Sequence, residues 1–178
     1  MLQRRRPSVA DEPFLRDLYA STRPDLALLR EDLRAPFLAQ QFEAQRAGYQ
    51  RMFPDSEHDL IVRDGRPVGR VWVDWSETRC LIVDLAILPE YRRQGHGTQI
   101  VKELLDRTDL LGIPTYGHVA RANEPALEFW ARLGFGETGR DEMYLEIARP
   151  AVALDGKAAT ERLVGPLATS GSPSSLSR

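Results

Sequence analysis

The sequence predicts an α+β domain, and three observations favour that fold class. Residues 81–88 are apolar except for Asp84, as expected of a strand that is covered on both faces. The pair Asp64-Gly65 between two apolar segments indicates a tight hairpin. Residues 97–107 repeat apolar side chains at helical spacing. A chain of 178 residues is long enough to bury a sizeable core in one domain.

Before the central strand, the pattern predicts a strand, two helices and the two strands of the hairpin. They are expected at residues 2–6, 11–20, 35–52, 60–62 and 68–75. Apolar residues at spacings of three and four predict the helices, and alternation predicts the hairpin strands. Pro36 fits the first turn of the second helix, where a missing N–H costs little.

After the central strand, the pattern predicts a helix from Gly97, a strand at 115–120, a further helix and two closing strands. Asn123 is a suitable N-cap for the further helix, and Gly134 a suitable left-handed C-cap. The closing strands are expected at residues 135–138 and 143–147. Residues 1–148 are therefore predicted to form the domain. Residues 149–178, which end in a stretch rich in Ser, Gly and Pro, are predicted to form a flexible extension.

Composition excludes several classes of function. A formal net charge of -2 offers no broad basic surface, so nucleic acid is not an expected partner. No apolar run reaches the ~20 residues of a membrane span, and no apolar stretch follows the basic residues 4–6, so a cytoplasmic location is expected. The single Cys80 permits no internal disulfide or cysteine metal cluster, and we interpret it as a small core residue.

The loop between the central strand and its helix has the composition of a phosphate site. Arg92 and Arg93 supply charge, and Gly95 and Gly97 let a ligand approach the backbone at a helix N-terminus. An ordinary strand-to-helix turn with solvated arginines is the alternative, because short glycine patterns are weak signals.

Two ordered motifs resemble those of the GNAT superfamily of N-acetyltransferases. Arg92-x-x-Gly95-x-Gly97 is similar to that superfamily's acetyl-CoA-binding motif, and residues 123–135 are similar to its downstream Asn-x-x-Ala segment, which ends in Gly-Phe. The resemblance implies a mixed, mostly antiparallel sheet of six to seven strands with helices on both faces. It also implies that strands four and five run parallel and splay apart around acetyl-CoA.

The resemblance further implies which residues hold the coenzyme. The loop would bind its pyrophosphate, backbone groups of the central strand would pair with pantetheine, and Asn123 would reach the pantetheine arm. The residues implied are Ala86, Ile87, Leu88, Arg92, Arg93, Gln94, Gly95, His96, Gly97, Thr98, Asn123, Phe129 and Trp130. No metal is expected.

Three residues are candidates for catalysis: Asp84, His118 and Tyr144. Asp84 lies in an apolar strand and needs a partner, for which His118 in the adjacent strand is the expected one. Either residue could accept the amine proton, or the pair could merely tie two strands together. Trp130 occupies a position where many relatives have a tyrosine that protonates the thiolate. Tyr144 or water would then supply that proton, or the thiolate would leave without one.

The sequence therefore predicts an acetyl-CoA-dependent N-acetyltransferase that acts by direct attack in a ternary complex. The expected acceptor is a primary amine of a small metabolite or an amino-acid-like molecule, and the protein is expected to be a monomer or homodimer. The alternatives are a protein or peptide N-terminal acetyltransferase and a non-catalytic acyl-CoA-binding module. Candidates for the acceptor pocket are Tyr19, Phe42, Gln45 and Tyr49.

Overall fold

A computed structural model describes residues 1–152. The extension predicted at residues 149–178 lies outside the described residues from position 153 onward. The strands are β1 (Leu2–Arg5), β2 (Glu57–Arg63), β3 (Arg66–Trp75), β4 (Cys80–Ile87), β5 (Thr115–Ala120), β6 (Gly136–Arg140) and β7 (Tyr144–Arg149). The α-helices are α1 (Glu12–Ser21), α2 (Glu31–Met52), α3 (His96–Leu111) and α4 (Glu124–Arg132). Apart from short 3-10 turns, this is the predicted order of elements.

Helix α2 begins at Glu31, whereas the sequence predicted a start at residue 35. Pro36 therefore lies inside the helix, where its missing N–H removes one intrahelical hydrogen bond. Glu31 and Asp32 occupy the first turn, and their charges favour the positive end of the helix dipole. The prediction was wrong because it treated the proline as the start signal and ignored the acidic pair before it.

The seven strands form one sheet in the order β1-β2-β3-β4-β5-β7-β6. Every neighbouring pair is antiparallel except β4 and β5, which are parallel. The predicted fold class, an α+β arrangement around a mixed and mostly antiparallel sheet, is thereby confirmed.

The sheet separates two apolar clusters, one on each face. The larger cluster packs Val71 and Val73 of β3 against Ile100 and Leu104 of α3 and Trp130 of α4. The smaller cluster lies on the opposite face of the sheet, which α1 and α2 cover. It packs residues of α1 and α2 on β2, namely Leu15, Tyr19, Phe42, Leu60 and Val62. Cys80 is fully buried in the larger cluster, and burial raises the pKa of its thiol to about 12. It is therefore a core residue, as the sequence indicated.

A β-bulge interrupts β4 at Val83. Trp72 of β3 pairs with Asp84, but the next residue, Val73, pairs with Ile82, so Val83 is the extra residue. Before the bulge Ile82 faces the larger cluster, and after it Leu85 does. The bulge thus keeps Asp84 out of that cluster and adds local twist to the strand.

Among the helices of residues 1–152, none combines the length and the apolar character that a membrane span requires.

Candidate active site

The sheet opens between its two parallel strands. β4 and β5 pair only through Cys80 with Thr115, Leu81 with Tyr116 and Ile82 with Gly117. Both strands continue beyond those pairs, β4 to Ile87 and β5 to Ala120. The predicted splay is therefore present, and we call the space between residues 83–87 and 118–120 the cleft.

The basic, glycine-containing loop leads from the end of β4 into α3. Gly95 is the N-cap of α3 with φ 84°, and Arg93 has φ 58° although it is not a glycine. Left-handed residues within such a turn direct successive backbone N–H groups to one side, and this arrangement binds anions. A left-handed arginine costs on the order of 1–3 kcal/mol, and strain of this kind concentrates at functional sites.

The start of α3 adds further donors. The first intrahelical hydrogen bond runs from the Gln99 N–H to the Gly95 carbonyl at 2.9 Å. The N–H groups of His96, Gly97 and Thr98 come before that bond, at the helix end that carries partial positive charge. Donors grouped in this way are of the kind that binds phosphate or pyrophosphate at helix N-termini.

Arg63, at the end of β2, reinforces this loop. Its Nη1 donates to Gln94 Oε1 at 2.7 Å and lies 3.2 Å from His96 Nε2. The Gln94 amide in turn donates to the Glu90 carbonyl at 2.7 Å. Burial, followed by the charge of Arg63, lowers the pKa of His96, so that ring is neutral near pH 7. The positive charge beside the loop therefore comes from guanidinium groups.

Arg92 is partly engaged with the protein. Its Nε donates to the Ile87 carbonyl at 2.7 Å, and its Nη2 donates to the Ser21 carbonyl at 3.5 Å. These contacts tie the loop to the end of β4 and to the end of α1. Arg92 thus helps to shape the loop in addition to charging it.

The backbone of β4 corrects one expectation. Leu88 donates its N–H to β3, and the Ile87 carbonyl is occupied by Arg92. Successive strand residues direct their backbone groups to opposite sides, so Leu85 and Ile87 face the cleft, whereas Ala86 and Leu88 face β3. Pairing of a ligand with this strand would therefore use Leu85 and Ile87 rather than all of residues 86–88.

The start of α4 matches its prediction. Asn123 is the N-cap, and its Oδ1 accepts from the Ala126 N–H at 3.2 Å, which leaves the amide nitrogen as a separate donor. Phe129 lies against the loop helix, since a Cβ added to Gly97 would be 3.5 Å from its ring.

Trp130 lies in the core. It is 9% exposed and meets Phe129 and Phe135 edge-on, with ring centroids 5.0 Å apart in each pair. This environment favours the packing interpretation of Trp130. A wall residue of the cleft would be exposed on one side.

Asp84 has a different partner from the expected one. Arg70 donates from Nε to Asp84 Oδ2 at 2.7 Å and from Nη2 to Gln45 Oε1 at 2.7 Å. The predicted Asp84–His118 pair is therefore wrong, because the buried Arg70 satisfies the carboxylate from the neighbouring strand β3.

His118 lies on the other arm of the cleft. It follows Gly117, the last residue of β5 that pairs with β4, and it is still paired with β7. Its Nε2 is 3.8 Å from Oε1 of Glu146 on β7. Their side chains are 54% and 61% exposed, so solvent screens this pair. Tyr144 pairs with Ala120 on the same face, and it is 46% exposed. His118 and Tyr144 thus both line the open arm.

The four predicted pocket residues divide into two groups. Tyr19 and Phe42 are 4% and 2% exposed within the smaller cluster, so they are core residues and not pocket lining. Gln45 and Tyr49 lie on α2 near the cleft, and Gln45 binds Arg70. Burial, followed by the charge of Asp84, raises the pKa of Tyr49 to about 12, so its phenol stays protonated.

Three functional candidates were missed by sequence reasoning: Arg63, Arg70 and Glu146. A charged residue between the apolar Val68 and Val71 signals a buried partner, and this signal could have identified Arg70. Arg63 and Glu146 carry no local signal, because their contacts depend on strand register.

Comparison with known proteins identifies one family model and two curated relatives. A family model described as "Acetyltransferase (GNAT) family" matches residues 24–135. Mycothiol acetyltransferase of Saccharopolyspora erythraea is 44% identical over 62 residues, which cover 32% of this chain and 20% of that protein. The uncharacterized N-acetyltransferase CgeE of Bacillus subtilis is 30% identical over 95 residues, covering 48% and 37% respectively. The chain thus spans well under half the length of these curated relatives.

The fold has solved counterparts. The PaiA N-acetyltransferase of Thermoplasma acidophilum, crystallised in complex with coenzyme A, superposes with a TM-score of 0.66. The alignment covers 84% of this chain and 99% of that protein at 16% identity. At this identity the similarity is one of fold.

Proposed function

The chain belongs to the acetyltransferase (GNAT) family, and from that premise we propose that it transfers the acetyl group of acetyl-CoA to a primary amine. The acceptor we propose is a small metabolite or an amino-acid-like molecule. Transfer occurs by direct attack while both substrates are bound. The residue assignments that follow are part of this proposal.

One observation supports the proposal: a loop with left-handed turns, two flanking guanidiniums and a helix N-terminus stands at the mouth of a cleft between two parallel strands. Arg63 bonds Gln94 of this loop, and Arg92 bonds the end of β4 next to it. A diphosphate bound there places the rest of a long thiol coenzyme along β4, where Leu85 and Ile87 present backbone groups. The thioester would then reach the point where the strands part, beside Asp84 and His118.

Positioning accounts for most of the rate in such a reaction. The lone pair of the amine attacks the thioester carbon, the C–S bond breaks, and the sulfur leaves with the bonding electrons. Holding amine and thioester together removes the entropy cost of their encounter. Asp84 and His118 lie beside the reacting atoms, and the protonated Tyr49 and the exposed Tyr144 are donors for the departing sulfur.

Two measurements test the proposal. Titration calorimetry with coenzyme A tests the loop, and we expect saturable binding. Release of free thiol from acetyl-CoA tests catalysis against butylamine, 1,4-diaminobutane, glycinamide and a tripeptide with a free N-terminus. We expect at least one of the three small amines to exceed the hydrolysis background by tenfold or more.

The same panel separates the alternatives. Turnover of the tripeptide alone would assign the protein to peptide or protein N-termini. Tight coenzyme binding without thiol release for any acceptor would indicate an acyl-CoA-binding module. Absence of coenzyme binding would overturn the whole proposal.

A further inference from the structure

Arg70 is a buried cation in the middle of the sheet. Its side chain is 4% exposed, and its guanidinium joins β4 to α2 through Asp84 and Gln45, with both distances 2.7 Å. A guanidinium with this burial is stable only when charged or polar acceptors satisfy it, and Asp84 is the charged one. The pair is therefore a fixed element of the fold, in contrast to a surface ion pair.

Asp84 differs from its partner in exposure. Its side chain is 22% exposed, and it occupies the first position after the Val83 bulge, where β4 has left β5. Arg70 bonds one carboxylate oxygen, Oδ2, from the buried side. A partly exposed carboxylate held from behind in this way is oriented in advance toward the cleft.

We propose that Arg70 is a positioning residue for acetyl transfer: it holds Asp84 oriented so that this carboxylate stabilises the positive charge developing on the attacking amine. The inference rests on the proposed function. Arg70 itself does not meet the acceptor, since it is buried behind Asp84. Gln45 completes the arrangement by holding the other side of the guanidinium.

The charge that develops during the reaction explains what a carboxylate at the position of Asp84 would do. When the amine nitrogen shares its lone pair with the thioester carbon, the nitrogen becomes positive, and its proton then leaves to solvent water. A preoriented anion beside that nitrogen stabilises the transition state more than the ground state, in which the amine is neutral. Asp84 in this role need not accept the proton.

Among the described ionisable groups near Asp84, Arg70 is the one that forms an ion pair with it. Tyr49 faces it from α2 and is a neutral phenol. Tyr144 on β7 and His118 on β5 lie across the cleft. Removal of the Arg70 charge would thus leave the carboxylate without its ion-pair partner and without the hydrogen bond that orients it.

The test uses Arg70→Met, which keeps length and removes charge, and Arg70→Lys, which restores it. With the best amine of the panel, we expect Arg70→Met to lower kcat by about 50-fold, equivalent to about 2.3 kcal/mol. The KM for acetyl-CoA should stay within twofold. Arg70→Lys should recover most of the rate, because its ammonium group restores a positive charge beside Asp84.

A double-mutant cycle separates this role from a purely structural one. If Arg70 acts through Asp84, then Asp84→Asn and the double variant Arg70→Met with Asp84→Asn have equal kcat within a factor of two. Losses that multiply would overturn the inference, and so would a failure of Arg70→Lys to recover the rate.

A second variant covers the case in which Arg70→Met does not fold. Gln45→Leu leaves the Arg70–Asp84 bond but removes the second acceptor of the guanidinium, and we expect a smaller loss of kcat, about fivefold. An unchanged kcat in Gln45→Leu would overturn the inference. If the wild-type protein acetylates none of the amines, the proposed function fails and this inference with it. If the wild type is active and the cycle is multiplicative, only this inference fails.

Discussion

The two sides of the cleft are built in different ways. The cofactor side, residues 92–98 and the start of α3, is one continuous stretch whose donors are backbone N–H groups. The acceptor side takes side chains from α2, β3, β4, β5 and β7, which meet only because the sheet is folded. The cofactor side should therefore tolerate changes of side chain that do not add bulk or negative charge. On the acceptor side, the loss of a single polar atom should lower the turnover rate.

The acceptor side is itself divided. Asp84 on the β4 arm is 22% exposed and its partner Arg70 on β3 is 4% exposed, whereas His118 on the β5 arm and its neighbour Glu146 on β7 are 54% and 61% exposed. Burial strengthens charge interactions, and solvent screens them. A fixed charge on one arm thus faces an adaptable, titratable group on the other.

The largest effect should come from charge and bulk on the cofactor side. Gly97→Glu would place a new Cβ 3.5 Å from the Phe129 ring and add bulk and negative charge beside the loop proposed to bind the pyrophosphate, and we expect coenzyme A affinity to fall by at least about 100-fold, or about 2.7 kcal/mol. Titration calorimetry measures this fall. Gln99→Glu, an exposed change on the same helix, adds equal charge without blocking the loop and should cost less than tenfold. Equal losses in the two variants would mean that charge alone matters there.

The next largest effect is expected on stability, at the start of α1, which packs with α2 on β2. Asp11 before that helix accepts two hydrogen bonds from Arg5, at 2.8 and 2.6 Å, and further bonds from Ser8. Asp11→Asn should lower the free energy of unfolding by about 1–2 kcal/mol at pH 7, as expected for loss of a capping carboxylate. Coenzyme A affinity should change less than twofold, because Asp11 precedes α1, whereas the loop contacts that helix at Ser21 at its other end.

The pH dependence of that variant has a definite sign. The hydrogen bonds from Arg5, followed by those from Ser8, hold the pKa of Asp11 well below its usual range. Its stabilisation is therefore present above the ordinary carboxyl pKa of about 3.9 and is lost as the pH falls below it. Thermal melts of wild type and variant should converge toward pH 2–3, and a constant difference would contradict the ionic origin.

A smaller effect is expected on the exposed arm. His118→Gln should lower kcat by about tenfold, or about 1.4 kcal/mol, if the imidazole passes the amine proton to solvent. Glu146→Gln should cost less than threefold, because solvent screens a contact of 3.8 Å. Steady-state rates across pH 6–9 measure both. A Glu146→Gln loss as large as that of His118→Gln would show that the exposed arm works as a tight pair.

The smallest catalytic effect is expected at Trp130. Because the indole is buried between Phe129 and Phe135, Trp130→Tyr should lower the melting temperature by a few degrees through lost packing. Turnover should stay within threefold. A large gain in turnover would show that the tyrosine hydroxyl reaches the cleft and that a missing acid limits the wild-type rate.

The cofactor side could be predicted from the sequence because its signals are local. Gly95, Gly97 and the two arginines are close in sequence, and the N-cap at Asn123 forms within its own turn. Backbone geometry of this kind depends on the types of residues that are close together in the sequence. The order of the elements was likewise predictable from hydrophobic periodicity.

The acceptor side could not be predicted in the same way, because it depends on which strands are neighbours. Asp84 and His118 were expected to pair because their strands are adjacent, but those strands have already separated where the two residues lie. The partner of Asp84 comes from the other neighbour, β3, where Arg70 is 14 residues away in sequence. Tyr19 and Phe42 were misjudged for a related reason, since an aromatic stripe on a helix looks the same whether it packs against a sheet or lines a pocket.

The additional residue at Val83 has a consequence for the natural variation of such domains. Deleting this one codon would leave Ile82 and Leu85 two positions apart, so every apolar side chain of β4 would keep its present face and the interior would stay intact. Only the curvature at the mouth of the cleft would change. We therefore expect deletion of Val83 to cost activity through the lost local twist while leaving thermal stability nearly untouched.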